Sequence, residues 1–292
     1  MTAVSAQLPR TKSRWSMTSP RVKVSRTIAR LVLAVIVILF IAPMLWLLLG
    51  SLHRNPGLTV PLGGGWTFSN YSDVLNPTTF WIPLRNSLIL SGGTTIITVI
   101  CASLAAYPLS RYRLRFGRLF LYTIVFSTGL PITAIMVPVY SMFAHFNMTD
   151  SVPSTVFFMS ATSMPFAIWM MKNFMDGVPV SLEEAAWTDG AGWFQGLRHI
   201  VLPLMAPGVA VVSIFVFVTQ WGDFFIPFIL LLDPNKQPLS VTIYTFFSSY
   251  GQVAYGQLAA FSVLYTLPIV FLYGVLSKYL GGAFNFAGGV KG

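Results

Sequence analysis

Charge is what this sequence has least of. Only 9% of its 292 residues are Asp, Glu, Lys or Arg, against about 25% in an ordinary soluble domain. That shortage excludes a water-facing globule, because too little polar surface is available to cover one. Acids are scarcer still. There are 8 of them against 18 Lys plus Arg, so the net charge of +10 reflects missing acids rather than a basic domain. Cysteine occurs once, as Cys101, which excludes a disulfide-stapled fold. The three histidines (His53, His145, His199) are isolated, and no Cys/His/Asp cluster has the spacing of a metal site. The chain contains no G-x-x-x-x-G-K-[ST] stretch, so it cannot itself cradle and hydrolyse a nucleotide by the P-loop route. A membrane enzyme would need clustered carboxylates, histidines or a nucleophile with its base, and the sequence offers no such cluster.

What the chain does have is apolar residues, 55% of the total, with a mean hydropathy of +0.71. A spanning helix needs roughly 20 mostly apolar residues, and reading the gaps between charges gives six such runs. They lie near 31–50, 88–109, 119–143, 152–171, 204–232 and 258–277. The expected fold class is therefore an all-α membrane protein with six transmembrane helices. The first run is longer than the core of a signal peptide, holds Pro43 and lacks a small-residue cleavage site, so it reads as an uncleaved anchor. Cys101, beside Ala102 and Ser103, reads as a small residue in a helix contact.

The basic residues set the orientation. Seven of them (Arg10, Lys12, Arg14, Arg21, Lys23, Arg26, Arg30) form a tail at 1–27 and the start of the first run. The tail lacks the interleaved aromatics of a nucleic-acid surface, which argues against nucleic acid as a partner. If both ends lie on one side, that side collects fifteen Lys and Arg residues. The other holds three, Arg54, Arg85 and Lys236. The imbalance predicts that both termini are cytoplasmic and that the rest of the chain, 28–292, is one transmembrane domain. Two connections, 51–85 and about 233–257, then face outward. The longest inner loop, 173–202, holds half of the acids: Asp176, Glu183, Glu184 and Asp189.

That inner loop is predicted to be a pair of short helices. Ser181 followed by Glu184 has the spacing of a capping box, Ala185 and Ala186 leave a small face for another body, and Asp189-Gly190 with Gly192 breaks the helix. A second helix from about Trp193 leads to Pro203. Alternatively the segment is an amphipathic helix resting on headgroups, but such helices favour Lys and Arg beside bulky apolar residues.

These residues resemble a known family. Glu184-Ala185-Ala186, then Gly190, then Ile200-Val201-Leu202-Pro203, is similar to the EAA signature of permease subunits of type I ATP-binding-cassette importers. Asp189-Gly190-Ala191 and Leu202-Pro203-Leu204 resemble its carbohydrate branch, the maltose-type second permease. Asn86-Ser87-Leu88, Ala105 to Tyr112, Pro138-Val139-Tyr140 and the terminal Ala287 to Gly292 agree with it. The resemblance covers about 28–292. It implies coupling to ATPase subunits through Glu184, Ala185, Ala186, Asp189, Gly190 and Ala191. It also implies a second, different permease subunit, two ATPase subunits that use ATP and Mg, an extracytoplasmic solute-binding protein, and transport by alternating access. The chain is expected to be no enzyme and to bind no cofactor or metal itself. By the same resemblance the outer loop, with Tyr244, Tyr250 and Tyr255, probes the docked binding protein; otherwise it is a lid on the membrane surface.

Where the branch often has Trp-Asn-Glu-Phe, this chain has Trp221-Gly222-Asp223-Phe224. A carboxylate deep in a bilayer is expensive, so Asp223 faces a polar pathway, the outer membrane surface or a partner subunit. In the first case Gln220 shares its helix face and Trp221 shapes the adjoining wall; in the second Trp221 is an interfacial anchor. The cargo reads as a sugar or sugar-like solute, with glycerol phosphate esters or polyamines as alternatives. A carrier working without ATPases is the alternative from another class, and transport by the chain alone would mark it.

Overall fold

A computed structural model describes residues 20–54, 56–57, 65–247 and 253–288. Most of the basic tail, the Ser249–Tyr250 tip of the second loop and the last four residues lie outside them. The described residues are almost wholly helical, and no sheet occurs among them. Two isolated bridges, His53 with Trp66 and Phe247 with Val253, pin loops.

Helix α1 (Pro20–Ser51) is followed by the short α2 (Ser69–Val74). A π turn at Pro77–Trp81, capped by Asn76, whose side chain accepts from the Thr79 amide at 2.8 Å, leads into α3 (Ile82–Arg111). Next come α4 (Gly117–Ser127), α5 (Ile132–His145) and α6 (Val152–Asp176). Helices α7 (Val180–Thr188) and α8 (Trp193–Gly196) form the expected short pair. A π turn at Leu197–Val201 and α9 (Leu202–Leu204) then join it to α10 (Ala206–Trp221). The chain continues through α11 (Phe225–Leu230) and α12 (Leu239–Thr242) to the long α13 (Tyr255–Gly288).

Among the described residues four helices are long and apolar enough to cross a membrane, and up to six spans result if each of two bent pairs counts as one. One of these bends, and a further break outside both, correct the expectation of continuous helices. The run at 119–143 breaks between α4 and α5, which meet at 92°, because Pro131 takes an extended ψ of 125° and cannot carry the helix onward. The run at 204–232 stops at Trp221 and restarts at Phe225 as α11. A third break, 79° at Met205, sets α10 at an angle to the turn before it.

The bundle packs through small side chains. One stripe of α3 (Ser87, Ser91, Thr94, Thr98, Ala102, Ala106) is buried at helical spacing, and α6 lies along it. Backbones approach closely there, as lipid-phase packing requires: a Cβ on Gly93 would sit 3.1 Å from Val156. Two hydroxyls between these helices donate to the carbonyl four residues back, Ser103 to Val99 and Ser160 to Val156, both at 2.7 Å. Cys101 lies off the stripe and is exposed, so it is no packing residue within this chain. Near α7, a block of Ala106, Tyr107, Met171, Met175, Leu197 and Val212 joins α3, α6, the π turn after α8 and α10. There a Cβ on Gly208 would fall 2.4 Å from the Phe174 ring, so only glycine fits. At the opposite end Asp150 adopts a left-handed φ of 59°. Its amide donates to Leu230 and its carboxylate accepts from the amides of Leu232 and Asp233, at 2.8 to 2.9 Å. That fastens the α5–α6 turn to the segment after α11.

Candidate functional site

Two places concentrate polar chemistry: the α7–α8 pair and a cavity between the broken helices. Helix α7 starts at Val180, one residue before Ser181, so the expected Ser181–Glu184 capping box does not form. Pro179 holds the N-cap position with no side-chain bond, its fixed φ of −59° setting the entry angle instead. The end of α7 is well formed. The Gly190 amide donates to the Trp187 carbonyl at 3.1 Å and the Ala191 amide to the Ala186 carbonyl at 2.9 Å, the bonding pattern of a Schellman motif. Gly190 carries the left-handed residue, φ 89°, that this motif needs. Helix α8 opens with the Gln195 side chain accepting from the Gly192 amide at 2.9 Å, a capping signal that the Gly-x-x-Gln spacing carries.

Of the residues singled out by the resemblance, Glu184, Ala185, Asp189 and Gly190 are exposed, and Ala186 and Ala191 are half-buried. Beside them Leu182, Trp187, Trp193 and Phe194 expose apolar surface. Glu183, adjacent to the exposed Glu184, makes an ion pair within the chain. Its carboxylate is fully buried, pairs with the Arg111 Nε and accepts from the Tyr107 hydroxyl at 2.8 Å. Arg111 also donates to the Val178 carbonyl at 3.2 Å. The signal available in sequence was the single arginine closing Ala105 to Tyr112.

The cavity, about 660 Å³, is walled by the ends of α4 and α10, the starts of α5 and α11, and the middle of α6. Irregular backbone at membrane depth is tolerated where it lines such a space. Its polar lining is Ser127, Thr128, Thr162, Ser163, Thr219, Gln220 and Asp223, with the rings of Phe166 and Phe215 tilted against each other at 4.6 Å between centres on one side. Gln220 donates to Ser163 at 2.8 Å, while its carbonyl oxygen is buried without a partner. Asp223 accepts from the amides of Phe225 and Ile226 at 3.0 and 3.2 Å, capping α11. The sequence placed Asp223 within a helix; it instead lies at the break. Gln220 and Asp223 share the cavity wall, whereas Trp221 points away and does not line the cavity. It is buried, its indole donates to the Tyr265 carbonyl at 3.2 Å, and its ring stacks on Phe217. The aromatic neighbour on the cavity side is Phe215, six residues earlier, where an α-helix has turned by too much for adjacent-residue reasoning to reveal it.

Residues 96–284 match the family described as the inner membrane component of binding-protein-dependent transport systems. The chain belongs to this family. It is a multi-pass inner-membrane permease subunit of an ABC importer. It is 29% identical to the trehalose/maltose transport system permease protein MalG of Thermococcus litoralis, over 89% of this chain and 94% of that protein. It is 30% identical to the inner membrane ABC transporter permease protein YcjP of Escherichia coli, over 78% of this chain and 81% of that one. A chain from the crystal structure of a bacterial ABC transporter involved in the import of the acidic polysaccharide alginate has the same fold. Its TM-score is 0.77 at 21% identity, over 89% of this permease and 98% of that chain.

Proposed function

We propose that this permease imports a sugar or sugar-like solute by alternating access, with both termini cytoplasmic. Two ATPase subunits dock on the α7–α8 pair and supply the energy from ATP and Mg. A second, different permease subunit completes the pathway, and an extracytoplasmic solute-binding protein delivers the cargo. This chain itself performs no catalysis and binds no cofactor. Glu184, Ala185, Ala186, Asp189, Gly190 and Ala191 form the docking surface. The exposure of Glu184, Ala185, Asp189 and Gly190, on a helix pair whose turn is fixed by Gly190, supports that role.

The cavity carries the cargo assignment. Five hydroxyls, each already donating to a carbonyl of its own helix, join Gln220 and Asp223 in offering acceptor oxygens, and Phe166 and Phe215 offer apolar faces, which suits the hydroxyls of a neutral polyol ring. Lys and Arg are absent from its lining residues, which disfavours phosphate esters. A polyamine would want several free carboxylates, and the single one here already accepts two amides. The relatives named for trehalose and maltose support the same reading.

The test is uptake by the assembled complex in proteoliposomes, with sugars, a glycerol phosphate ester and a polyamine compared. Binding-protein-dependent sugar uptake that needs ATP is expected. Uptake by this chain without ATPases would overturn the importer reading, and exclusive polyamine uptake the cargo. A cysteine replacing Ser181, in a Cys101→Ser background, should resist impermeant thiol reagents in intact cells; labelling there would reverse the orientation.

A further inference from the structure

Glu183 is the single fully buried residue of α7. Its neighbours Val180, Leu182, Glu184 and Ala185 are exposed. A nine-residue helix is therefore fastened to the bundle by a carboxylate, not by an apolar stripe. The carboxylate is bound from α3 alone, by Arg111 and Tyr107. The guanidinium then reaches on to the Val178 carbonyl, in the linker between α6 and α7. One residue earlier on α3, the Ser110 hydroxyl donates to Asp176 at 2.6 Å, and Asp176 pairs with Lys172. These bonds close a ring through the end of α3, the end of α6 and α7.

Burying two charges carries a desolvation penalty of several kcal/mol per ion, and an apolar pair of similar volume would hold α7 at least as firmly. What the forked, charge-assisted bonds add is direction: a guanidinium meets its acceptors in one geometry. Apolar contacts between soft side chains, such as Met171 and Met175 nearby, can slide. Helix α6 carries the fixed end onward. From Asp176 to Ser163 is thirteen residues, about 20 Å of helix, and Ser163 with Thr162 and Phe166 is cavity wall.

We propose that Arg111 and Glu183 are positioning residues for energy coupling, their buried pair locking α7 to the ends of α3 and α6. Displacement of α7 then reaches the cavity through α6 as the motion of one body. The inference rests on the importer reading and adds to it the residues that carry the stroke, none of which touches solute or nucleotide.

The experiment uses the complete complex in proteoliposomes and reads uptake and ATP hydrolysis together, for wild type, Glu183→Gln, Arg111→Lys and the double variant Glu183→Ala/Arg111→Ala. The double variant removes both charges, so it leaves none buried and unpaired. Uptake per ATP hydrolysed should fall about tenfold in the double variant and less in the two conservative ones, a size ordinary for a coupling free energy, with binding-protein-stimulated hydrolysis retained. A double variant with the wild-type ratio would show the pair to be structural and overturn the proposal. Spin labels on cysteines replacing Asn173 and Thr188, in a Cys101→Ser background, give the second measurement. One narrow distance, unchanged by ATP, is expected with the pair intact, and a broad distribution with both charges removed. A wild-type distance that shifts on ATP binding would overturn the single-body movement. Absence of ATP-driven uptake by the wild-type complex would instead sink the importer reading itself.

Discussion

Helix α6 has two regions of opposite character. At its Asp176 end every charged group is paired, Gly208 admits no side chain beyond hydrogen against Phe174, and α7 is tied by an ion pair. Midway, around Thr162 to Phe166, it borders open space where the Gln220 carbonyl oxygen has no partner. Close-packed, fully bonded regions transmit displacement, whereas a wall of polar oxygens around open space leaves acceptor capacity for a solute. One continuous helix thus joins a rigid region to a receptive one.

That contrast can be broken most forcefully at Glu183. Removing one member of a buried ion pair leaves the other charged and unpaired, about 3–5 kcal/mol of destabilisation. Glu183→Ala should therefore sharply lower the yield of folded subunit, whereas Glu184→Ala, at an exposed site, should leave yield unchanged and reduce uptake. Thermal unfolding in detergent distinguishes them, and equal losses would dissolve the distinction between the two glutamates.

Next in size is Gly208→Ala. Its Cβ would overlap the Phe174 ring, and overpacking of this kind costs about 1–3 kcal/mol. Adding Phe174→Ala should recover part of that loss. The same glycine-to-alanine change at Gly92, where nothing lies within 4 Å, should be nearly silent.

Smaller effects are expected at the cavity. Asp223→Leu deletes the cap of α11, about 1 kcal/mol, and should abolish uptake. Asp223→Asn keeps an acceptor and should transport weakly. Near-normal uptake by both at matched expression would assign Asp223 to the helix break alone. Smallest in stability is Gln220→Leu. It loses one bond to Ser163 but also removes a buried, unpartnered oxygen, so its melting temperature should scarcely move while uptake falls. A marked loss of stability would make Gln220 part of the rigid region instead.

Much of this architecture was legible from residue types. The six apolar runs, the short helix pair at 180–196 and the glycine at its turn follow from hydropathy and turn chemistry, which act over a few neighbouring residues. The helix breaks were harder to see. Gly129 and Pro131 do mark the α4–α5 bend, yet the run around them is apolar enough to read as unbroken. Nothing local distinguishes Glu183 from Glu184 either, since adjacent positions differ by about 100° around a helix and the partner, Arg111, lies 72 residues away.

The sequence alone determined that this chain lives in a membrane, where its apolar runs lie, and that half of its acids gather at one connection, because composition and local backbone preference suffice for those. The tertiary structure alone decided which carboxylate is paired, that Trp221 turns to Tyr265 while Gln220 and Asp223 turn to the cavity, and that α6 links α7 to that cavity. Those outcomes depend on which faces distant helices bury against each other, and burial is a property of the packed bundle rather than of any one segment.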